Sequence, residues 1–215
     1  MKNSFGVLGG SFNPIHYGHL RGAEEIRQRF SLEKVLFIPT YVPPHKPEHD
    51  VLGYKHRKAM VDMAIHSNPS FVLEGIEELL PVPSYTYRTM QALIKKYGRD
   101  EEFCFIIGED DFANIHTWRS PSILFSLCTM VVITRHDTSK TLPQILSVDL
   151  KDDFWYLEKE GVLVHKDGKK VYLSSIPVLD ISSSRIRSLV KQHKSIHYLT
   201  PDPVIEYIEK ERLYY

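Results

Sequence analysis

Gly9-Gly10-Ser11-Phe12-Asn13-Pro14-Ile15-His16-Tyr17-Gly18-His19-Leu20 joins an apolar run of strand length, Ser4-Phe5-Gly6-Val7-Leu8, to a segment in which Leu20, Ala23, Ile26 and Phe30 recur at helical spacing. The glycines and Pro14 therefore turn the chain where a strand ends and a helix begins. A helix N-terminus carries unpaired N–H groups and the positive end of the dipole, and glycine lets a bulky anion approach the backbone without meeting a Cβ. The corner reads as a nucleotide phosphate site.

His16 and His19 stand three apart at this corner, where both rings can donate N–H bonds to one polyphosphate. The same spacing suits zinc, which needs third and fourth ligands, but Cys104 and Cys128 fall in apolar runs that read as buried. A plain surface role on a turn is the remaining alternative.

Outward from the corner, apolar runs at Val35–Ile38, Phe71–Leu73, Phe103–Ile107 and Met130–Thr134 alternate with segments of helical periodicity. This βαβ rhythm predicts an α/β fold, a Rossmann-like doubly wound parallel sheet with helices on both faces. Met60, Met63 and Ala64 are expected on one buried helix face, and Met90, Leu93, Ile94 and Tyr97 on another. Ligands of such sheets gather beyond the carboxyl ends of the strands. From His136 to Leu179 the pattern weakens; Val162–Val164 and Val171–Leu173 flank Lys166-Asp167-Gly168-Lys169, so a small β-hairpin insertion is expected near 162–173. A lid, an oligomer contact and decoration are all open for that connector.

At 215 residues, 42% hydrophobic and 25% charged, the chain can bury one core, so a single domain over 1–215 is expected. Lys plus Arg and Asp plus Glu both total 27, leaving no global field for nucleic acid or an anionic membrane. Two cysteines in apolar settings, no signal-peptide pattern and no bilayer-spanning apolar stretch imply a reduced, soluble, cytoplasmic protein.

The run G-G-S-F-N-P-I-H-x-G-H resembles the signature of the adenylyltransferases with an H-x-G-H motif, a branch of the Rossmann-like nucleotidyltransferases, and within them the bacterial nicotinate-mononucleotide adenylyltransferase family. Ser11 and Asn13 stand where that family usually has Thr and Asp; the first keeps the hydroxyl, and the second keeps an acceptor while losing a charge. The resemblance covers most of the chain, through Ser195–Pro201 and the last helix from Val204 to Glu209. The connector escapes it.

Further motifs follow the strands. Pro39–Pro47 is a stiff loop around His45 and Lys46, and resembles the family's P-P-H-K loop that closes over phosphates; a solvated proline-rich loop is the alternative. Ser84-Tyr85-Thr86 resembles the S-Y-T motif that receives the pyridine carboxylate, while Ser84 or Thr86 also suits helix capping. A carboxylate, acceptor only, matches backbone donors better than a carboxamide does. Gly108-Glu109-Asp110 with Trp118 downstream matches the family's Gly-x-Asp and Trp: the likeness implies that Asp110 handles ribose hydroxyls or magnesium, and that Trp118 stacks on the pyridine ring, with core packing as its alternative. Glu109 stands where relatives carry a small residue, and its side chain is read as pointing outward. Ile181-Ser182-Ser183-Ser184-Arg185-Ile186-Arg187 resembles I-S-S-T-x-I-R, with Arg187 as the phosphate ligand assisted by Ser183 and Ser184; residues two apart face differently, so Arg185 is not expected beside it. Arg135 resembles an arginine on the mononucleotide side.

The resemblance implies adenylyl transfer from ATP to nicotinate mononucleotide, giving nicotinate adenine dinucleotide and pyrophosphate in NAD biosynthesis. His16, His19, Lys46 and Arg187 are the expected catalytic set. ATP is expected on Gly9, Gly10, Ser11, Phe12, Gly108, Asp110, Ile181, Ser183 and Ser184 as well as on that set. The mononucleotide is expected on His45, Ser84, Tyr85, Thr86, Asp110, Trp118 and Arg135. Mg2+ is expected as cofactor, arriving on the ATP phosphates rather than in a site made by protein alone. Partners are these small molecules, with no nucleic acid and no membrane; a homo-oligomer is left open. Rival readings are transfer to another phosphate acceptor such as nicotinamide mononucleotide or phosphopantetheine, a nucleotide sensor without turnover, and an RNA-binding protein, for which the basic stripe is missing.

Overall fold

The structure is a computed structural model that describes residues 3–44, 51–134, 140–177 and 179–215. His45, Lys46 and Arg135 lie outside the described residues. An eight-stranded sheet forms the centre, in the order β3-β2-β1-β4-β5-β8-β7-β6. Its strands are β1 (Ser4–Gly10), β2 (Lys34–Pro39), β3 (Phe71–Leu73), β4 (Glu102–Gly108), β5 (Thr129–Thr134), β6 (Phe154–Leu157), β7 (Val162–His165) and β8 (Lys170–Ser175). The first six positions, β3 through β8, pair in parallel, and β7 and β6 add an antiparallel edge.

Both faces are covered because successive strand residues point to opposite sides. Phe103, Phe105 and Ile107 of β4 enter one core, with Met90 and Leu93 of α3 (Thr86–Tyr97), Phe112 of α4 (Glu109–Ala113), Leu124 and Phe125 of α5 (Pro121–Leu127) and Leu142 of α6 (Leu142–Ile145). Cys104 and Ile106 enter the other, with Ala23 and Ile26 of α1 (Tyr17–Arg29), Met60 and Val61 of α2 (Tyr54–Ile65), Ile186 of α7 (Ser183–Lys191) and Val204, Ile205 and Ile208 of α8 (Asp202–Lys210). Both cysteines are buried free thiols, and burial pushes Cys128 up to about 12 and Cys104 upward as well. The doubly wound arrangement is thus the one expected.

Two local expectations change. Met63 does not share the buried face of Met60 and Ala64 but is 37% exposed, because that face is centred on Arg57, Met60, Val61 and Ala64. The hairpin between Val162 and Leu173 forms around Gly168 at φ 86°, but β8 is also the sixth parallel strand, with Met130↔Val171 and Val132↔Leu173 in register. The connector therefore completes the sheet itself. Among the described residues no helix is long and apolar enough to cross a membrane.

Candidate active site

The strand order reverses between β1 and β4, and their carboxyl ends open a cavity of about 1760 Å³. Gly9 and Gly10 end β1 and Gly108 ends β4; all three line the cavity. A Cβ at Gly108 would meet nothing within 4 Å, and one at Gly9 only Phe105 at 4.0 Å, so both positions leave backbone open to a ligand. Beyond Gly10 the wall continues through Ser11, Phe12 and Asn13, with Phe12 buried and at φ 44°.

Side chains from distant elements hold this corner from behind. Ser183 Oγ donates to the Pro14 carbonyl at 2.8 Å, Thr200 Oγ1 to that of Ile15 at 2.8 Å and Arg187 Nη1 to that of Asn13 at 2.8 Å. The Asn13 side-chain oxygen accepts from Tyr214 Oη at 2.7 Å and from the Leu52 amide at 3.4 Å. Burial raises the Tyr214 hydroxyl well above the phenol range, against the pull of Arg187 and Arg57, which suits its role as donor.

His16 is the N-cap of α1 and is 5% exposed; its ring stacks on that of His19, centroids 3.7 Å apart. His19 Nδ1 accepts from the His16 amide at 3.3 Å. A neutral His19 therefore carries its proton on Nε2, as a donor. Phe12 meets His19 edge-on at 5.1 Å. Gly18 has a steric reason: a Cβ there would sit 3.0 Å from His16 Nδ1 and 3.1 Å from its Cε1. The glycine between the histidines is what lets the two rings lie together.

Opposite the corner, Ser182 caps α7 by accepting from the Arg185 amide at 3.2 Å. Ile181, Ser183, Ser184 and Arg187 face the cavity, and Arg185 does not. Arg187 also donates through Nη2 to Ser184 Oγ at 3.3 Å, so its guanidinium both braces the corner and borders the open space. On the β4 side, α4 brings Glu109, Asp110 and Asp111 to the cavity. Glu109 does not simply point outward; it lines the wall and lies 3.8 Å from Lys140.

Trp118 lines this cavity and a second concavity of about 380 Å³ shared with Pro44, Tyr85, Thr117, Arg119 and Ser120. Its ring meets Phe105 edge-on at 6.2 Å, so one side packs and another remains available. Neither Ser84 nor Thr86 caps α3, whose N-cap is Tyr85 without a side-chain bond. Ser84 instead fastens the loop after β2: its Oγ accepts from the Val42 amide at 3.2 Å, and its amide donates to the Val42 carbonyl at 2.9 Å. Of the described part of the predicted mononucleotide set, Tyr85 shares the second concavity with Trp118 and Asp110 lines the main cavity, whereas Ser84 and Thr86 line neither.

A cytidylyltransferase-like family model matches residues 7–189. The chain belongs to that family. Two relatives named as probable nicotinate-nucleotide adenylyltransferases share its whole length: that of Geotalea daltonii is 44% identical and that of Geotalea uraniireducens 42% identical, each over 210 residues and 97% of both chains. A solved structure titled as Plasmodium falciparum nicotinic acid mononucleotide adenylyltransferase complexed with NaAD superposes with a TM-score of 0.74 at 22% identity, covering 99% of this chain and 97% of that one. The latter likeness establishes the shared fold.

Several members of this cytidylyltransferase-like site escape sequence reading. Tyr214 and Thr200 reach the corner from the far end of the chain, and only the topology brings them there. Val51, Leu52 and Gly53, just before α2, also line the cavity and carry no motif. Among the described residues no group of three or more His, Cys, Asp or Glu could hold a metal ion, so the zinc alternative finds no ligand set there.

Proposed function

We propose that the protein joins ATP to nicotinate mononucleotide, releasing pyrophosphate and forming nicotinate adenine dinucleotide. The observation that carries this reading is the convergence of the glycine corner, the paired imidazoles, Arg187 and the Gly108–Asp110 turn on one cavity at the strand-order reversal. Full-length relatives of that name support it.

In the proposed reaction a 5′-phosphate oxygen of the mononucleotide attacks the α-phosphorus of ATP in line. A P–O bond forms there, the bond from the α-phosphorus to the oxygen bridging to the β-phosphorus breaks, and its electron pair leaves with pyrophosphate. The attacking oxygen is already anionic near neutrality and needs no general base. Catalysis then lies in holding two anions together and stabilising charge on the pentavalent centre. In this scheme His16 and His19 serve the α- and β-phosphates, and Lys46 and Arg187 the β- and γ-oxygens. Ser84–Thr86, Trp118, His45 and Arg135 receive the mononucleotide. The carboxylates of α4 are oxygen donors suited to a hard cation, and Asp110 is our choice to touch Mg2+ brought in by the nucleotide. When bound, Mg2+ offsets the triphosphate charge and favours departure of pyrophosphate. We read residues 1–215 as one such domain, acting on small molecules in the cytoplasm.

Pyrophosphate release is the test, run with ATP and magnesium and separately with the acid mononucleotide, its amide and phosphopantetheine. Release with the acid, well above the amide and absent with phosphopantetheine, is the expected result. Release with phosphopantetheine alone, or with no acceptor of the three, overturns the reading.

A further inference from the structure

Arg57 is the largest fully buried side chain among the described residues, 1% exposed, and it occupies the helical phase of Met60, Val61 and Ala64 on the inner face of α2. An arginine in that phase is costly to bury, so the partners it finds there must justify it. None of them is a carboxylate. Its Nε donates to the Leu52 carbonyl at 2.7 Å, Nη1 to Ser11 at 2.8 Å, and Nη2 to Thr40 at 2.8 Å and Tyr41 at 3.3 Å.

These four carbonyls belong to three segments, the corner after β1, the loop after β2 and the turn into α2. Single bonds also link the corner to each of the other two, from the Thr40 amide to the Gly10 carbonyl at 2.9 Å and from the Leu52 amide to the Asn13 side chain at 3.4 Å, but Arg57 alone among the described side chains bonds to all three at once. Glu77, 7% exposed, grips the second of these from its other side, accepting from the Tyr41 amide at 2.9 Å and from Thr89 Oγ1 at 2.8 Å. The Tyr41 residue is therefore held between a buried guanidinium on its carbonyl and a buried carboxylate on its amide. The two charges are linked through the backbone instead of through a direct ion pair, and each fixes the other's grip. A lysine could reach one or two of the four carbonyls, but only the planar fork of a guanidinium can serve all of them at once.

We infer that Arg57 is a positioning residue, whose planar hub sets the phosphate corner and the loop after β2 at a fixed separation while touching neither substrate. This rests on the proposed adenylyl transfer, because it is the alignment of two anions across that separation that the hub governs. Misplacing reacting groups by about 1 Å can cost on the order of a hundredfold in rate. The loss falls on kcat, since each substrate keeps its own contacts.

The test compares wild type, Arg57→Lys and Arg57→Ala, the last prepared with methylguanidinium present so that the vacated space is filled. Turnover is read as pyrophosphate release per site able to bind the product dinucleotide, and folding by circular dichroism. For Arg57→Lys we expect kcat reduced about a hundredfold, with both KM values within about threefold of wild type. Dialysing methylguanidinium away from Arg57→Ala should lower turnover reversibly while the folded signal stays. Wild-type kcat per site in Arg57→Lys, turnover of Arg57→Ala independent of the additive, or loss of the folded signal in step with turnover would each overturn the inference. If wild type itself releases no pyrophosphate with ATP and nicotinate mononucleotide, it is the proposed reaction that fails instead.

Discussion

The corner that follows β1 and the concavity beside Trp118 adjoin each other but are built on different principles. In the corner, the carbonyls of Ser11, Asn13, Pro14 and Ile15 are each occupied by a side chain arriving from α2, α7 or the stretch before α8. Around Trp118 two rings, Tyr85 and Trp118, enter a wall completed by Pro44, Thr117, Arg119 and Ser120, and they are supported by ring contacts: Tyr85 lies 6.3 Å from Tyr87, the Arg88 guanidinium sits 5.2 Å over Tyr85, and Trp118 meets Phe105 edge-on. Directional bonds fix positions to fractions of an ångström, whereas stacking surfaces tolerate sliding. The contrast suits a polyphosphate, whose charges must be met at fixed points, beside a planar ring that needs only a platform.

That contrast can be broken by substitution, and the largest effect belongs to the corner. Removing one preorganised donor typically costs about 2.7 to 4 kcal/mol of transition-state stabilisation, so His19→Ala should lower kcat at least about a hundredfold in a pyrophosphate-release assay. Near-normal turnover would remove the imidazole from the reaction. Gly18→Ala comes next: its Cβ would press on the His16 ring, and we expect kcat to fall roughly tenfold through misplaced imidazoles. Gly108→Ala, where a Cβ meets no protein atom, should instead raise only the KM of a substrate, and equal kcat losses in the two variants would dissolve the distinction.

Trp118→Ala probes the other half. Stacking is worth about 0.5 to 1.5 kcal/mol, so the KM for the mononucleotide should rise roughly two- to tenfold while that for ATP changes less. Equal rises would deny it the platform role. Farther away, His165 is fully buried between Phe125 and Phe154, and burial lowers its protonation range below 6.5 despite Asp167 nearby. The unfolded chain then binds the proton more readily, so stability is full above pH 6.5 and declines as pH falls below it. A thermal melt at pH 5.5 should show a lower Tm than at pH 7.5, and His165→Gln should lose part of that slope without altering turnover.

Legibility in the sequence followed the range over which each feature is determined. The strand-to-helix turn at Gly9–His19 is written in local chemistry, and so is the alternation of β4, where adjacent residues enter opposite cores. Arg187, Ser183, Asp110 and Trp118 are picked out by the family resemblance, which local chemistry supports for Ser183 at the start of a helix and for Asp110 just after β4. Ser84 was harder, since a serine before a helix suits a cap equally well, and only the approach of Val42 decides its use. The place of β8 was out of reach: a hairpin signal describes one edge of a strand, and its pairing with β5 on the other edge depends on the whole sheet. Arg57 was the least visible, an arginine in apolar phase whose partners are backbone carbonyls scattered over three segments.

Residue 214 bonds to residue 13, a separation of 201 positions that few local contacts can anticipate. During synthesis the glycine turn leaves the ribosome long before the hydroxyl that fastens it. A nascent chain can thus shape the corner after β1 only loosely until Tyr214 has emerged and folded back onto Asn13.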